Sequence, residues 1–113
     1  MTVTLVTGAS TGIGKATALH FAQLGHTVYA SMRTPDTSGG ALRSAAKEGR
    51  LDLEVMTLDV DNSASVASTV DRVIERSGRI DILVNNAGVL KLTSVEEVPL
   101  EEAKAVFETN VFG

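Results

Sequence analysis

The stretch VTLVTGASTGIG, residues 3–14, decides the fold of this chain. Its first four residues, Val3 to Val6, are an apolar and largely β-branched run that predicts a strand. From Gly12 to Leu24 apolar residues recur at helical spacing, and Gly25 stands where helices commonly end. A strand, a glycine-containing turn and a helix in this order are typical of the first unit of an α/β domain.

The rest of the chain continues this alternation. Residues 33–40 are polar and contain glycine and proline, which predicts a loop. Further strands are predicted at Thr27–Ala30, Leu53–Leu58 and Ile80–Val84, and further helices at Ala41–Lys47, from Ser63 to just before Gly78, and from Pro99 onward. Short strands that are apolar on both faces and alternate with helices predict a parallel sheet covered on both sides. We therefore predict a single α/β domain over residues 1–113.

The composition excludes several classes of site and partner. The chain is 43% apolar and 21% charged, with a net charge of -4. Because it has no Cys and two His, we predict no disulfide, no thiolate chemistry and no metal site. The Lys and Arg residues are scattered singly, which argues against a nucleic-acid partner. No apolar run approaches the roughly 20 residues that span a bilayer, so we expect no membrane partner and a cytoplasmic location.

The turn after the first strand has the properties of an anion site. Gly8 and Gly12 lack the Cβ that blocks a tight turn, and the N–H groups at the helix start carry partial positive charge. A pyrophosphate fits there, and a tight connection without a ligand is the alternative. A Walker-type phosphate loop is a poor match, because Ala9 replaces its first glycine and Ala16 its Mg²⁺-binding hydroxyl. On this interpretation Lys15 is a solvated helix residue.

Motifs spread over most of the chain point to one family. Residues 7–14 have the spacing T-G-x-x-x-G-I-G, Asp59-Val60 follows the third strand, residues 85–88 read NNAG after the fourth, and Asn110-Val111 lies on the last helix. With these motifs in this order, the sequence resembles the short-chain dehydrogenase/reductase family. The resemblance implies a Rossmann-like doubly wound parallel sheet with strand order 3-2-1-4, truncated after about four strands.

The resemblance also assigns roles to residues. It implies that Asp59 accepts a hydrogen bond from the adenine amino group and that Asn110 is the Asn of a catalytic Asn-Ser-Tyr-Lys group. A polar strand end and a surface amide are the respective alternatives. Asn85 and Asn86 are expected to tie the strand end to neighbouring backbone. The implied cofactor-binding residues are Gly8, Ser10, Thr11, Gly12, Ile13, Gly14, Asp59, Val60, Asn86, Ala87 and Gly88.

The end of the second strand, YASMR at residues 29–33, bears on the choice of cofactor. An NAD site places a carboxylate there to hold the ribose hydroxyls, whereas an NADP site needs a cation for the 2′-phosphate. Met32 supplies no carboxylate, Arg33 supplies a guanidinium, and Asp36 lies further into the loop. We therefore predict NADP(H) as the cofactor. NAD, with Arg33 as an exposed loop residue, is the alternative.

The resemblance implies hydride transfer between nicotinamide and a small-molecule alcohol or carbonyl substrate, and a homo-oligomer in the complete protein. The family's Tyr-x-x-x-Lys motif is absent, because Tyr29 is the only Tyr and Arg33 stands four residues later. We expect the cofactor-binding half of an NADP(H)-dependent oxidoreductase, C-terminally incomplete and inactive alone. Its open strand edge predicts marginal stability or aggregation. A non-catalytic nucleotide-binding module and a degenerate fragment without a ligand are the two alternatives.

Overall fold

A computed structural model describes all 113 residues and contains four strands, five helices and a final π-helical turn. The strands are β1 (Val3–Val6), β2 (Thr27–Met32), β3 (Leu53–Thr57) and β4 (Ile82–Val84). The helices are α1 (Gly12–Gln23), α2 (Pro35–Ser38), α3 (Gly40–Gly49), α4 (Ser63–Ser77) and α5 (Leu100–Phe107), and the π-helical turn is Glu108–Phe112. None of the helices combines the length and the apolar content that crossing a bilayer requires.

The four strands form one parallel sheet in the order β3-β2-β1-β4, which confirms the predicted order. Leu5 in the middle of β1 pairs with Tyr29 on one side and with Leu83 on the other. The chain moves outward from β1 to β3 and then crosses back to place β4 on the opposite side of β1. In open parallel sheets the crevice at such a reversal, at the carboxyl ends of the strands, is where ligands bind.

Two apolar layers hold the sheet between helices, as the pattern predicted for a parallel sheet. Alternate residues of each strand point to opposite faces. Val6 packs in one layer with Ala18 of α1 and Leu42 of α3. Leu5 packs in the other layer with Val73 of α4. All four residues of β1 are buried, so β1 is the centre of the core.

Some element boundaries differ from the predicted ones. β2 runs two residues further than predicted, because its end is paired on both sides: Ser31 Oγ donates to the Val6 carbonyl and Leu58 N to the Met32 carbonyl. The predicted loop at 33–40 contains the helix α2, with Pro35 as its first residue. β4 begins at Ile82 rather than Ile80, and residues 80 and 81 lead into it.

The strands are predicted to be buried on both faces, but β4 is partly exposed. Leu83 is 54% exposed, and β4 pairs with β1 alone, which leaves its other edge open. α5 buries none of its residues, and Phe107 is 61% exposed. An edge strand has one neighbour fewer than a central strand, so its side chains are buried only if a helix packs over them.

Candidate dinucleotide-binding site

A cleft of about 700 Å³ lies where the four strands end. Its walls come from the turn after β1, the ends of β2 and β3 with the residues that follow them, the loop after β4, and the last turn of the chain. It is lined by Gly8, Ser10, Thr11, Gly12, Ile13, Met32, Arg33, Leu58, Asp59, Val60, Asp61, Asn86, Ala87, Gly88, Val89, Leu90 and Thr109. Every residue predicted to bind a cofactor is in this set except Gly14.

The turn between β1 and α1 leaves the start of the helix open. Gly8 has a φ of +63° and Gly12 a φ of +56°, conformations that L side chains rarely adopt. A Cβ on Gly8 would stand 2.7 Å from Ala87 Cα, whereas one on Gly12 would meet nothing within 4 Å. Thr11 precedes α1 without capping it by a side-chain hydrogen bond, and the first helical turn has no acidic residue. The first N–H groups of α1 are therefore available to an anion.

Gly14 is among the predicted cofactor-binding residues, and the structure places it outside the lining of the cleft. It is buried on α1 and does not line the cleft. A Cβ at this position would collide with the carbonyl oxygen of Gly8 and with the side-chain amide of Asn86. The absent side chain lets the helix pack closely against the turn, so Gly14 shapes the site without facing it.

The loop after β4 is bonded directly to the turn after β1. Thr7 Oγ1 accepts hydrogen bonds from the backbone N–H groups of Asn86 and Ala87, both at 3.0 Å. Asn86 Nδ2 donates to the carbonyl oxygens of Thr7, at 3.2 Å, and Gly8, at 3.0 Å. Asn86 thus ties the strand end to neighbouring backbone as predicted, whereas Asn85 is exposed. These bonds fix two walls of the cleft relative to each other.

Asp59 stands at the start of the loop between β3 and α4. Its backbone N–H donates to Ser65 Oγ, and its Oδ1 accepts from the backbone N–H of Asp61, both at 3.0 Å. Asn62 caps α4 by accepting a hydrogen bond from the Ser65 N–H. The loop is therefore ordered by its own hydrogen bonds, and Oδ2 of Asp59 accepts none of them.

Arg33 follows β2 directly, lines the cleft and is exposed. The three salt bridges of the structure join Arg76 to Glu54, Arg79 to Asp81 and Lys91 to Glu102, so the Arg33 guanidinium has no carboxylate partner. Asp36, on α2, does not line the cleft. Where β2 ends, the cleft thus has a cation without a salt-bridge partner.

Asn110 lies outside the main cleft, in a smaller recess of about 230 Å³ beside it. Both ends of its amide are bonded to one residue: Oδ1 accepts from Val89 N at 2.7 Å, and Nδ2 donates to Val89 O at 2.8 Å. The side chain therefore holds the loop after β4. Tyr29 lines neither the cleft nor the recess, because it is buried under α4, where its hydroxyl is 2.6 Å from Ser77 Oγ.

Several lining residues were not predicted from the sequence. They are Met32, Leu58, Asp61, Val89, Leu90 and Thr109. Met32 ends β2, Leu58 directly follows β3, and Val89 and Leu90 follow the NNAG segment. Adjacency to a predicted strand end or motif was therefore the available signal. Thr109 carried no such signal, because only the packing of the last turn brings it to the cleft.

The fold and the cleft together define a class of protein: an open, parallel α/β protein with a ligand crevice at the point where the strand order reverses. The comparisons with known proteins narrow this class. A model of the short chain dehydrogenase family matches residues 2–113. The chain therefore belongs to the short-chain dehydrogenase family.

Individual relatives are similar along most of this chain. The 3-ketodihydrosphingosine reductase of Bacteroides thetaiotaomicron is 37% identical over 111 residues, covering 98% of this chain and 37% of the relative. The NADPH-dependent pterin aldehyde reductase of Arabidopsis thaliana is 38% identical over 110 residues, which cover 96% of this chain and 45% of the relative. The structure of an alcohol dehydrogenase from the archaeon Thermococcus sibiricus, solved with 5-hydroxy-NADP, matches with a TM-score of 0.88 and 33% sequence identity. The match covers 97% of this chain and 47% of the archaeal chain. The chain spans less than half the length of each of these proteins.

Proposed function

We propose that this chain is the cofactor-binding part of an NADP(H)-dependent oxidoreductase that interconverts an alcohol and a carbonyl. The observation that carries the proposal is the open start of α1 at the cleft, beside two glycines with positive φ, with no capping side chain and no acidic residue in its first turn. Such a helix start binds the diphosphate of a dinucleotide through its N–H groups. We propose that residues 1–113 act as one unit in this binding.

The residues of the cleft fit the rest of a dinucleotide. Gly8 and Gly12 give the diphosphate close access to backbone, and the free oxygen of Asp59 offers an acceptor for the adenine amino group. Ala87 and Gly88 form the wall on the β4 side, where the nicotinamide half would lie. When bound, the nicotinamide supplies hydride transfer to or from the substrate.

The preference for NADP(H) over NAD(H) rests on Arg33. An unpaired guanidinium at the end of β2 matches the 2′-phosphate in charge and geometry, and no carboxylate there competes for the ribose. The pterin aldehyde reductase that resembles this chain is named as NADPH-dependent, and the archaeal alcohol dehydrogenase was solved with an NADP derivative, which supports the same choice.

The test measures Kd for NADPH and NADH in the wild type, Arg33→Ala and Arg72→Ala. Arg72 is exposed on α4 and outside the cleft, so it controls for the loss of one positive charge. We expect Arg33→Ala to weaken NADPH binding by about tenfold or more and to leave NADH nearly unchanged, because a charge-assisted pair to phosphate is lost. An unchanged NADPH to NADH ratio in Arg33→Ala contradicts the NADP preference, and no binding of either cofactor contradicts the proposed function.

A second candidate is a nucleotide-binding module without catalysis. It is favoured by the cleft itself, whose lining includes neither a Tyr nor a Lys to act as the proton donor of the reaction. Asn110 then contributes by holding Val89 and the loop after β4. For the first candidate, we propose that Ser, Tyr and Lys residues from another segment complete the active site. We also propose that the complete enzyme is a homo-oligomer. The test is turnover of a panel of alcohols by the 113-residue chain with NADP. Turnover by this chain alone would contradict the proposal that the catalytic Ser, Tyr and Lys come from another segment.

A further inference from the structure

The last turn of the chain is attached to both ends of the cleft by neighbouring residues. Thr109 Oγ1 donates a 2.7 Å hydrogen bond to Asp61 Oδ2, in the loop between β3 and α4. The next residue, Asn110, holds Val89 in the loop after β4 through both ends of its amide. Thr109 and Asn110 thus bind the loop after β3 and the loop after β4, which lie on opposite sides of the central strands.

The contact between Thr109 and Asp61 belongs to the cleft wall. Both residues line the cleft, and their contact joins segments 48 positions apart in the sequence. The last turn also packs on the neighbouring residue of the same loop, since a Cβ on Gly113 would stand 2.9 Å from Val60 Cγ2. The turn therefore closes the adenosine end of the cleft, where the loop of residues 59–61 forms the opposite side.

Thr109 reaches Asp59 through Asp61. The carboxylate of Asp61 is held by the Thr109 hydroxyl, and the backbone N–H of the same Asp61 donates to Oδ1 of Asp59. Fixing Asp61 from its side chain therefore fixes the N–H that orients the Asp59 carboxylate. A carboxylate that is oriented before the ligand arrives binds an amino group with a smaller loss of conformational entropy.

We propose that Thr109 and Asp61 are a positioning pair that raises affinity for the adenosine half of the dinucleotide. This inference rests on the proposed function, because it needs a dinucleotide in the cleft. It assigns neither residue a contact with the reacting atoms. Because the pair acts at the adenosine end, breaking it should weaken a ligand that lacks the nicotinamide by the same factor as the whole dinucleotide.

The experiment measures Kd for 2′,5′-ADP and for NADPH by calorimetry in the wild type, Thr109→Val, Thr109→Ser, Asp61→Asn and the double variant Thr109→Val with Asp61→Asn. Thr2→Val is the matched control, because Thr2 directly precedes β1 at the amino ends of the strands, away from the cleft at their carboxyl ends. Melting temperatures without ligand are measured on the same samples, because a purely structural contact would change these and leave Kd unchanged.

We expect Thr109→Val to weaken both ligands by the same factor, about three- to tenfold, because it removes a hydrogen bond to a charged group. Thr109→Ser, which keeps the hydroxyl, should restore binding, and the double variant should be no weaker than the worse single variant, since both act through one contact. The inference is overturned if Thr109→Val binds 2′,5′-ADP as the wild type does, or if Thr109→Ser is as weak as Thr109→Val. If the wild type binds neither ligand, the proposed function fails and this inference with it; normal wild-type binding with an unaffected Thr109→Val overturns the inference alone.

Discussion

Asn86 Nδ2 lies 3.0 Å from the carbonyl oxygen of Gly8 and donates to it, which joins the loop after β4 to the turn after β1. The two residues are 78 positions apart, and the bond lies directly beside the open start of α1. Because Gly14 has no side chain, the helix, the turn and the amide pack without a gap at this point. The part of the cleft beside the start of α1 is therefore held in place by contacts within the chain.

Replacing Thr7 tests the bonds that connect these two segments. Thr7→Val keeps the shape but leaves the N–H groups of Asn86 and Ala87 without their common acceptor. We expect the free energy of unfolding to fall by about 1–2 kcal/mol, since the half-buried N–H of Ala87 loses its acceptor whereas that of Asn86 keeps the Val84 carbonyl. Urea denaturation measures this, and Thr7→Ser, which retains the hydroxyl, should lose less than about 1 kcal/mol. Equal losses in the two variants would show that the hydroxyl contributes no more than the methyl group, which contradicts this expectation.

Alanine at Gly8 and at Gly12 should have different consequences. Both positions have positive φ, so each substitution costs about 1–2 kcal/mol of backbone strain. At Gly8 the added Cβ also meets the backbone of Ala87, which adds about 1–3 kcal/mol of overpacking, whereas at Gly12 it meets nothing. Gly8→Ala should therefore be clearly the less stable in urea denaturation. A Gly12→Ala variant as unstable as Gly8→Ala would contradict the geometry of the turn.

The salt bridge at the start of β4 gives stability a dependence on pH. A hydrogen bond from Arg79 and another from the backbone of Val3 hold the pKa of Asp81 below its ordinary value of 3.8. A group whose pKa is lowered by folding stabilises the fold above its unfolded pKa, and this contribution is lost as pH falls through the folded pKa.

The stability difference between the wild type and Asp81→Asn should thus be largest at neutral pH and shrink below about pH 4, as measured by urea denaturation across pH. Asp71→Asn on the exposed surface of α4 controls for the loss of one negative charge, and its difference should vary less with pH. A difference for Asp81→Asn that stays constant from neutral to acid pH would show that the charge of Asp81 contributes nothing to the fold.

The open edge of β4 should drive association of the 113-residue chain. Leu83 is 54% exposed on a strand with one free edge, and Ile74 of α4 is 44% exposed on the same side of the sheet. We expect Leu83→Lys to reduce self-association in sedimentation velocity, because a charge on an edge strand opposes strand pairing. Leu24→Lys, at a residue that is 61% exposed but lies after α1 and away from the edge, should have little effect. A wild type that sediments as a monomer at all concentrations would refute the expectation.

The order of strands and helices could be read from the sequence because burial on both faces and helical periodicity are local patterns. The ends of elements were less predictable. β2 continues to Met32 because Val6, Leu58 and Ala9 contribute bonds from elsewhere, and β4 begins at Ile82 because its pairing with β1 begins there, opposite Thr4. The cleft residues were predictable where a motif marked them, as at Gly12 and Asp59, but the resemblance, rather than the residues alone, supplied their roles.

By itself the sequence determined the α/β alternation, the glycine turn, the cation at position 33 and the absence of a second Tyr, because each of these is a property of residue type and short-range spacing. Only the tertiary structure decided that Gly14 supports the turn without facing the cleft, that the amide of Asn110 is occupied by Val89, and that Thr109 meets Asp61. These are contacts between segments brought together by packing across the sheet, and the residue types at their two ends do not specify a partner until the fold places it within hydrogen-bonding distance.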